Sequence, residues 1–70
     1  MPYRSNWDLP PSVRDHLPEH GQDIFRAAFN HAYAEYARNP RQEEIAHRIA
    51  WSAVKRVCEK SGAQWIRKSS

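Results

Sequence analysis

The clearest pattern along the chain is an apolar stripe in its last third. Apolar residues recur there at three- and four-residue spacing, at Ile45, Ala46, Ile49, Ala50, Ala53, Val54 and Val57. Arg48, Lys55 and Arg56 fall on the opposite side of the same helical projection. This spacing is typical of an amphipathic helix that packs on a core. It predicts a last helix that ends at about Lys60.

Two further helices are predicted before it, and prolines mark their boundaries. Pro11 suits the first position of a short helix that ends at about Leu17, directly before Pro18. The apolar side of this short helix comprises Leu9, Val13 and Leu17. A longer second helix should begin within residues 19–21 and run to about Arg38. Its wide apolar face comprises Phe25, Ala28, Phe29, Ala32, Tyr33 and Tyr36.

The two ends of the last helix carry their own signals. Asn39 resembles an N-cap, with Pro40 at the first helical position and Gln42 at the third, as in a capping box. Gly62 is typical of a helix stop, and it follows cations that favour a helix C-terminus.

The segment after this glycine, residues 63–68, is too short for another helix. Trp65 and Ile66 within it are expected to lie extended. The sequence leaves open whether they pair with residues 1–4, because an isolated pair of strands is marginal unless it packs on helices.

Together these elements predict a mainly α, compact three-helix domain that spans residues 1–70, with or without a minimal two-stranded pairing of the N- and C-terminal arms. A chain of 70 residues buries only about 60% of its unfolded surface. We therefore expect its core to use most of the Trp, Tyr and Phe side chains. Phe25, Phe29 and Trp51 should be largely buried where the two long helices face each other.

Charge is distributed unevenly along the chain, whose net charge is +3. The last sixteen residues carry five cations against Glu59 alone. The candidate contact residues at this end, which we call the basic surface, are Lys55, Arg56, Lys60, Trp65, Arg67 and Lys68. Cations around an aromatic ring can bind an anionic partner such as an acidic protein loop or a nucleic acid. The alternative is that they offset the helix dipole and keep the domain soluble.

The histidines do not provide a metal site in the sequence. Pro18 separates His16 from His20, so the two cannot share one continuous helix face. His47 has only Glu43 and its neighbour Glu44 one turn earlier, and a zinc site needs three or four ligands. We expect no metal.

Catalytic chemistry and membrane insertion have little support in the sequence. Cys58 falls on the apolar side of the predicted last helix, where a thiol behaves as a small hydrophobe. The chain has no glycine-rich phosphate loop. Its longest apolar runs fall far short of the roughly 20 residues of a membrane span. We therefore expect a cytoplasmic, non-enzymatic protein with no cofactor and no small-molecule substrate.

Three polar residues of the second helix have an ordinary structural interpretation. Gln22, Asp23 and Asn30 are expected to be caps and surface groups. The alternative for Asp23 is an ion pair with Lys55 or Arg56 that fixes the packing of the two long helices.

The whole chain resembles a known family through residues that recur in order. They are Met1, Pro2, Tyr3, Asp8, Leu9, Pro10, Val13, Leu17, Pro18, His20, Gln22, Asp23, Ile24, Ala28, Phe29, Asn30, Tyr36, Ala46, His47, Ala50, Trp51, Ala53, Val54, Lys55 and Trp65. This pattern resembles the ChaB family, small proteins proposed to regulate a cation transporter. The chain departs from the family pattern at Cys58, where an aromatic is expected, and at residues 39–42, a connection that is shorter and less acidic.

The resemblance implies a compact, mainly helical domain that acts near a sodium or calcium exchanging proton antiporter, on its cytoplasmic side. We therefore expect a small regulatory or adaptor protein that acts through protein–protein binding. Viral relatives linked to DNA imply the alternative, a nucleic-acid-associated module that uses the basic surface. Salt separates the two, because DNA binding weakens steeply with salt through counterion release.

Overall fold

The structure is a computed structural model that describes residues 2–68, and its helices come in the predicted order. A 3-10 turn at Asn6–Asp8 precedes α1 (Pro11–Arg14), α2 (Glu19–Glu35) and α3 (Gln42–Val57). Two short strands, β1 (Cys58–Ser61) and β2 (Gln64–Arg67), follow the last helix. The prediction of a mainly α domain with three helices is confirmed, and a small two-stranded antiparallel sheet is present.

The core lies between α2 and α3, and α1 closes one side of it. Its buried residues are Leu9, Val13, Leu17, Phe25, Phe29, Ala32, Ala46, Ala50, Val54 and Cys58. Both phenylalanines come from α2, and α3 contributes small residues opposite them. Alternating large and small side chains let two helices approach closely without voids. The predicted burial of Leu9, Val13 and Leu17 on the α1 side is confirmed.

The predicted stripe of α3 is correct in part. The row Ala46, Ala50 and Val54 is fully buried, but Ile49 is 37% exposed. The stripe is therefore narrower than predicted and is centred on the alanines. Phe25 and Phe29 are buried as predicted, whereas Trp51 is only half-buried at the edge of the core.

The start of α3 lies later than the capping pattern predicts. Asn39 Oδ1 accepts a hydrogen bond from the Arg41 backbone N–H at 2.8 Å, as an N-cap would, but the helix begins at Gln42. The Gln42 side chain does not complete a capping box. Its Nε2 instead donates to the Tyr33 carbonyl at 2.7 Å and ties the start of α3 to the last turns of α2.

The end of α3 was predicted wrongly, because residues 58–61 form a strand. β1 and β2 pair as an antiparallel hairpin through a two-residue loop, Gly62 and Ala63. Gly62 has a φ of +64°, which suits the first loop position of a tight hairpin. This glycine is therefore a hairpin turn and not a helix stop.

The pairing of the terminal arms, which the sequence left open, does not form among the described residues. Trp65 and Ile66 are extended as predicted, but their strand partners are Lys60 and Glu59. No strand occurs among residues 2–4, and Met1 lies outside the described residues. The hairpin is favoured because it packs on the rest of the domain: the Trp65 ring packs on Trp51 of α3, and the Trp65 backbone N–H donates to the His16 carbonyl at 3.0 Å.

Over residues 2–68, no helix is both long enough and apolar enough to span a lipid bilayer.

Candidate functional site

The basic surface is distributed over the end of α3 and the hairpin. Lys55 and Arg56 lie in the last turn of α3, and both are exposed. Lys60 lies directly opposite Trp65 in the hairpin, and Arg67 lies opposite Cys58. Opposite residues of an antiparallel pair project from the same face. Lys60 and Arg67 therefore share the face of the hairpin that carries Trp65.

The cations of this surface are available to a partner. All five are exposed, and among residues 2–68 none of them forms an ion pair with a side-chain carboxylate. Glu59 lies on the other face of the hairpin, because strand residues alternate between faces. The local charge is thus positive on the Trp65 face.

A pair of tryptophans connects the hairpin to α3. The Trp65 ring packs on Trp51 with a centroid distance of 5.6 Å, and Trp51 packs edge-on against Phe25 at 5.4 Å. Trp51 also lines a groove of about 410 Å³ along α3 that includes Lys55. Trp65 is therefore half-buried, and part of its ring area is used for packing.

His47 has a partner that its sequence neighbours did not suggest. Trp51 Nε1 donates a hydrogen bond to His47 Nε2 at 3.0 Å, and the imidazole contacts Phe25 edge-on at 5.5 Å. Among residues 2–68, neither Glu43 nor Glu44 forms an ion pair with His47.

The other residues that could bind a metal or act as a nucleophile lie apart from one another. Among the described residues, no three His, Cys, Asp or Glu side chains come together as a metal cluster. Cys58 is buried as predicted, but it opens β1 and does not lie on a helix. Its Sγ lies 3.4 Å from where a Cβ at Gly21 would stand, so the glycine lets α2 and β1 approach closely.

Polar residues of α2 form hydrogen bonds to other segments that the sequence did not reveal. Asn30 clamps the backbone of Tyr3, accepting from its N–H at 2.8 Å and donating to its carbonyl at 2.7 Å. Gln22 Nε2 donates to the carbonyls of Arg14 and Leu17 at 3.0 and 2.9 Å. These amides fasten the N-terminal segment and the end of α1 to α2.

Asp23 forms no bond with Lys55 or Arg56, which corrects that alternative. Its Oδ1 accepts from Asn6 Nδ2 at 2.7 Å and lies 3.7 Å from Arg26 Nη2. The signal that could have indicated these contacts is weak, since an Asn, Asp or Gln on an exposed helix face is usually a surface group.

Tyr3, whose backbone is held by Asn30, lies in a partly apolar environment. Its ring packs on Phe29 with a centroid distance of 4.8 Å. Partial burial raises the pKa of the Tyr3 phenol, and the negative charge of Glu43 raises it further. Tyr3 is thus a packing residue, neutral at physiological pH.

A second surface, missed by the sequence analysis, surrounds Trp7. This side chain is 80% exposed, which contradicts the expectation that a small core uses its tryptophans. The Arg14 guanidinium lies over the ring, 5.7 Å from its centroid. An adjoining depression of about 500 Å³, which we call the Trp7 groove, is lined by Asn6, Trp7, Arg14, Asp15, Glu19 and Gln22.

The fold is that of a small helical domain that ends in a β-hairpin. The chain belongs to the ChaB family, because the ChaB family model matches residues 9–68. The proteins from Escherichia coli strain K12 and Shigella flexneri, both described as "Putative cation transport regulator ChaB", are each 42% identical over 76 aligned residues. These alignments cover 99% of this chain and 100% of each relative.

A solved structure supports the same fold. The "NMR solution structure of the putative cation transport regulator ChaB" superposes with a TM-score of 0.86 at 43% sequence identity. The match covers 97% of this chain and 100% of the solved chain. At this identity and coverage the likeness extends over the helices and the hairpin alike.

Proposed function

We propose that this chain regulates cation transport as a non-enzymatic adaptor, by binding directly to the cytoplasmic side of a membrane cation antiporter. The proposal is supported by the match to relatives described as cation transport regulators, which extends over essentially the whole chain. The basic surface is the proposed contact. The observation that carries this choice is the set of exposed cations without carboxylate partners among the described residues.

The chemistry of the basic surface suits an acidic loop with an apolar residue. Lys60 and Arg67 supply positive charge beside the half-buried ring of Trp65. Exposed charges of this kind mainly accelerate association, while apolar contacts near the centre of an interface supply most of the affinity. Neutralising the cations should therefore slow association at low salt and leave most of the affinity.

Nucleic acid is the second candidate, and one feature of the hairpin favours it. Cations that flank an aromatic ring on one strand face can hold phosphates while a base stacks on the ring. Binding of this kind releases counterions, so its affinity falls steeply with salt and depends little on sequence. The packing of Trp65 on Trp51 reduces the ring area open to a base, which makes the protein partner the better choice.

The test is an amide chemical-shift titration of the labelled domain with soluble cytoplasmic segments of a cation antiporter, and separately with duplex DNA. The variant pair Arg67→Gln and Lys68→Gln should slow association with the antiporter segment at low salt and change its affinity little. A matched control replaces Arg38 and Arg41, two exposed cations of the α2–α3 connection, by Gln. This control makes the same charge change elsewhere and should have little effect.

Tight DNA binding would overturn the adaptor proposal if it is indifferent to sequence, weakens steeply with salt and disappears in the Arg67 and Lys68 variant. In that case the salt slope should flatten by about one unit for each lost phosphate contact.

A further inference from the structure

The exposure of Trp7 is not explained by the packing of the domain. The 3-10 turn that carries it contains no buried residue, and the core is complete without the indole. A tryptophan left largely in water lowers solubility and gains little folding free energy from burial. Aromatic residues held at a surface are enriched among the residues that dominate binding energy in protein interfaces.

The turn under Trp7 is held in one place by side chains of α2. Asn6 lies at the centre of this network. Its Nδ2 donates to Asp23 at 2.7 Å, and its Oδ1 accepts from Arg26 Nε at 2.9 Å. The backbone is also held, because Arg14 Nη1 donates to the Trp7 carbonyl at 3.0 Å. An anchored turn presents the indole with little loss of conformational entropy on binding, as a preorganised contact requires.

The charged residues that line the groove give it a net negative charge. Asp15 and Glu19 line the groove together with a single cation, Arg14. This arginine is already engaged, because it lies over one face of Trp7 and 3.8 Å from Asp15. The other face of the indole remains open, given the 80% exposure of the side chain. The groove thus offers an open aromatic face beside carboxylates.

We propose that the Trp7 groove docks a Lys- or Arg-rich peptide segment of a partner protein. One cation and its aliphatic stem would lie on the open face of Trp7, where the ring attracts positive charge. A second cation would contact the carboxylates of Asp15 and Glu19. This inference rests on the proposed function, because cytoplasmic loops of membrane proteins carry an excess of Lys and Arg and would supply such a segment.

The test is a titration of the full chain with a short synthetic Lys/Arg-rich peptide, followed through the three indole N–H signals of Trp7, Trp51 and Trp65. A matched peptide with Glu at each Lys and Arg is the control ligand. We expect the cationic peptide to shift the Trp7 indole and the amides of Asp15 and its neighbours. The Glu peptide should leave these signals in place.

Two variants establish which groups bind. Trp7→Ala should weaken the cationic peptide by about 10-fold or more, the loss expected for an aromatic that anchors a contact. The double variant Asp15→Asn and Glu19→Gln should weaken binding severalfold at low salt and much less at high salt. Ile66→Ala removes a 44% exposed apolar side chain from the hairpin and should leave peptide binding unchanged. Circular dichroism should show that each variant remains folded.

Several results would overturn the proposal. They are unchanged peptide affinity in Trp7→Ala, equal binding of the Glu peptide, self-association that depends on Trp7, and binding to lipid vesicles that depends on Trp7. The last two would assign the indole to a second copy or to a membrane surface.

Failure of the groove proposal can be distinguished from failure of the adaptor proposal. If antiporter segments bind only at the basic surface and the cationic peptide does not shift Trp7, the groove proposal alone fails. If the cationic peptide binds the groove but no antiporter segment binds anywhere, the adaptor proposal alone fails.

Discussion

Replacement of Phe29 by Ala tests whether the aromatic core between the N-terminal segment and α2 stabilises the domain. Phe29 is 1% exposed, and its ring contacts three others. The centroid distances are 4.8 Å to Tyr3, 5.7 Å to Tyr33 and 6.2 Å to Phe25. Truncation to Ala would therefore remove the centre of an aromatic cluster and leave a cavity among the three remaining rings.

The expected cost is large relative to the whole stability. Truncation of a buried Phe to Ala costs about 3 to 5 kcal/mol through lost burial and the cavity that remains. At about 0.05 to 0.15 kcal/mol per residue, a domain of 70 residues has a free energy of unfolding of only about 4 to 10 kcal/mol. The substitution should remove most of it and lower the Tm by at least about 12 °C.

Urea denaturation and a thermal melt, both followed by circular dichroism, measure this loss. The matched control is Ile49→Ala on α3, because Ile49 is 37% exposed and Ala favours a helix. The control should cost about 1 kcal/mol or less. A Phe29→Ala variant that unfolds as late as the control would refute the assignment of Phe29 to the core.

Three further changes probe the turn and the N-terminal segment. Gly62→Ala should cost about 1 to 2 kcal/mol in urea denaturation, because its φ of +64° is strained for any residue with a Cβ; no loss would contradict the left-handed turn. Asn30→Leu should leave the Tyr3 backbone N–H and carbonyl without their partners and cost about 1 to 3 kcal/mol of stability. Hydrogen exchange at the Tyr3 amide should accelerate, and unchanged exchange would contradict the clamp. Partial burial and then Glu43 raise the pKa of Tyr3 above its usual value of about 10, so the folded domain holds this proton more tightly than the unfolded chain. The resulting stability is present below pH 10 and is lost as pH rises above it; Tyr3→Phe should therefore lose less stability than the parent in alkaline denaturation, and equal losses would contradict the raised pKa.

The helical framework could be predicted because its signals are local and periodic. Leu9, Val13 and Leu17 occur at four-residue spacing between prolines, and all three are buried. The faces of α2 and α3 follow the same rule, and Phe25 and Phe29 lie in the core as their spacing predicts. Periodicity identifies the buried side of a helix well, although it overestimated the width of the α3 stripe.

The end of α3 could not be predicted from local signals, because a tertiary contact decides it. Helical spacing continues through Cys58, and Gly62 is a common residue after a helix. The chain instead turns extended at Cys58 because the hairpin brings Trp65 onto Trp51 and lets the Lys68 N–H donate to the Val57 carbonyl at 2.9 Å. Strands of four residues carry too short a pattern to reveal this competition.

The basic surface can be identified from the sequence, whereas the Trp7 groove cannot. A run of cations is visible directly, so the residues of the basic surface could be named without a structure. The Trp7 groove depends on Asn6, Arg14 and Asp23, whose hydrogen-bond partners lie 7 to 20 positions away along the chain. Nothing in residue order distinguishes such bonds from ordinary solvation, and a tryptophan is more often buried than displayed.

The segment after α1 joins the two surfaces mechanically. Carbonyls of residues 14–17, the last residue of α1 and the turn after it, accept bonds from two directions. Gln22 of α2 donates to Arg14 and Leu17, and Trp65 of β2 donates to His16. Arg14 belongs to the Trp7 groove, whereas Trp65 belongs to the basic surface. Because both are fixed to the same short segment, the spacing between the surfaces is set by the fold. A partner that presents a basic and an acidic segment at that spacing can engage both at once. The second contact then forms at a high effective concentration, so two individually weak contacts can give one specific complex.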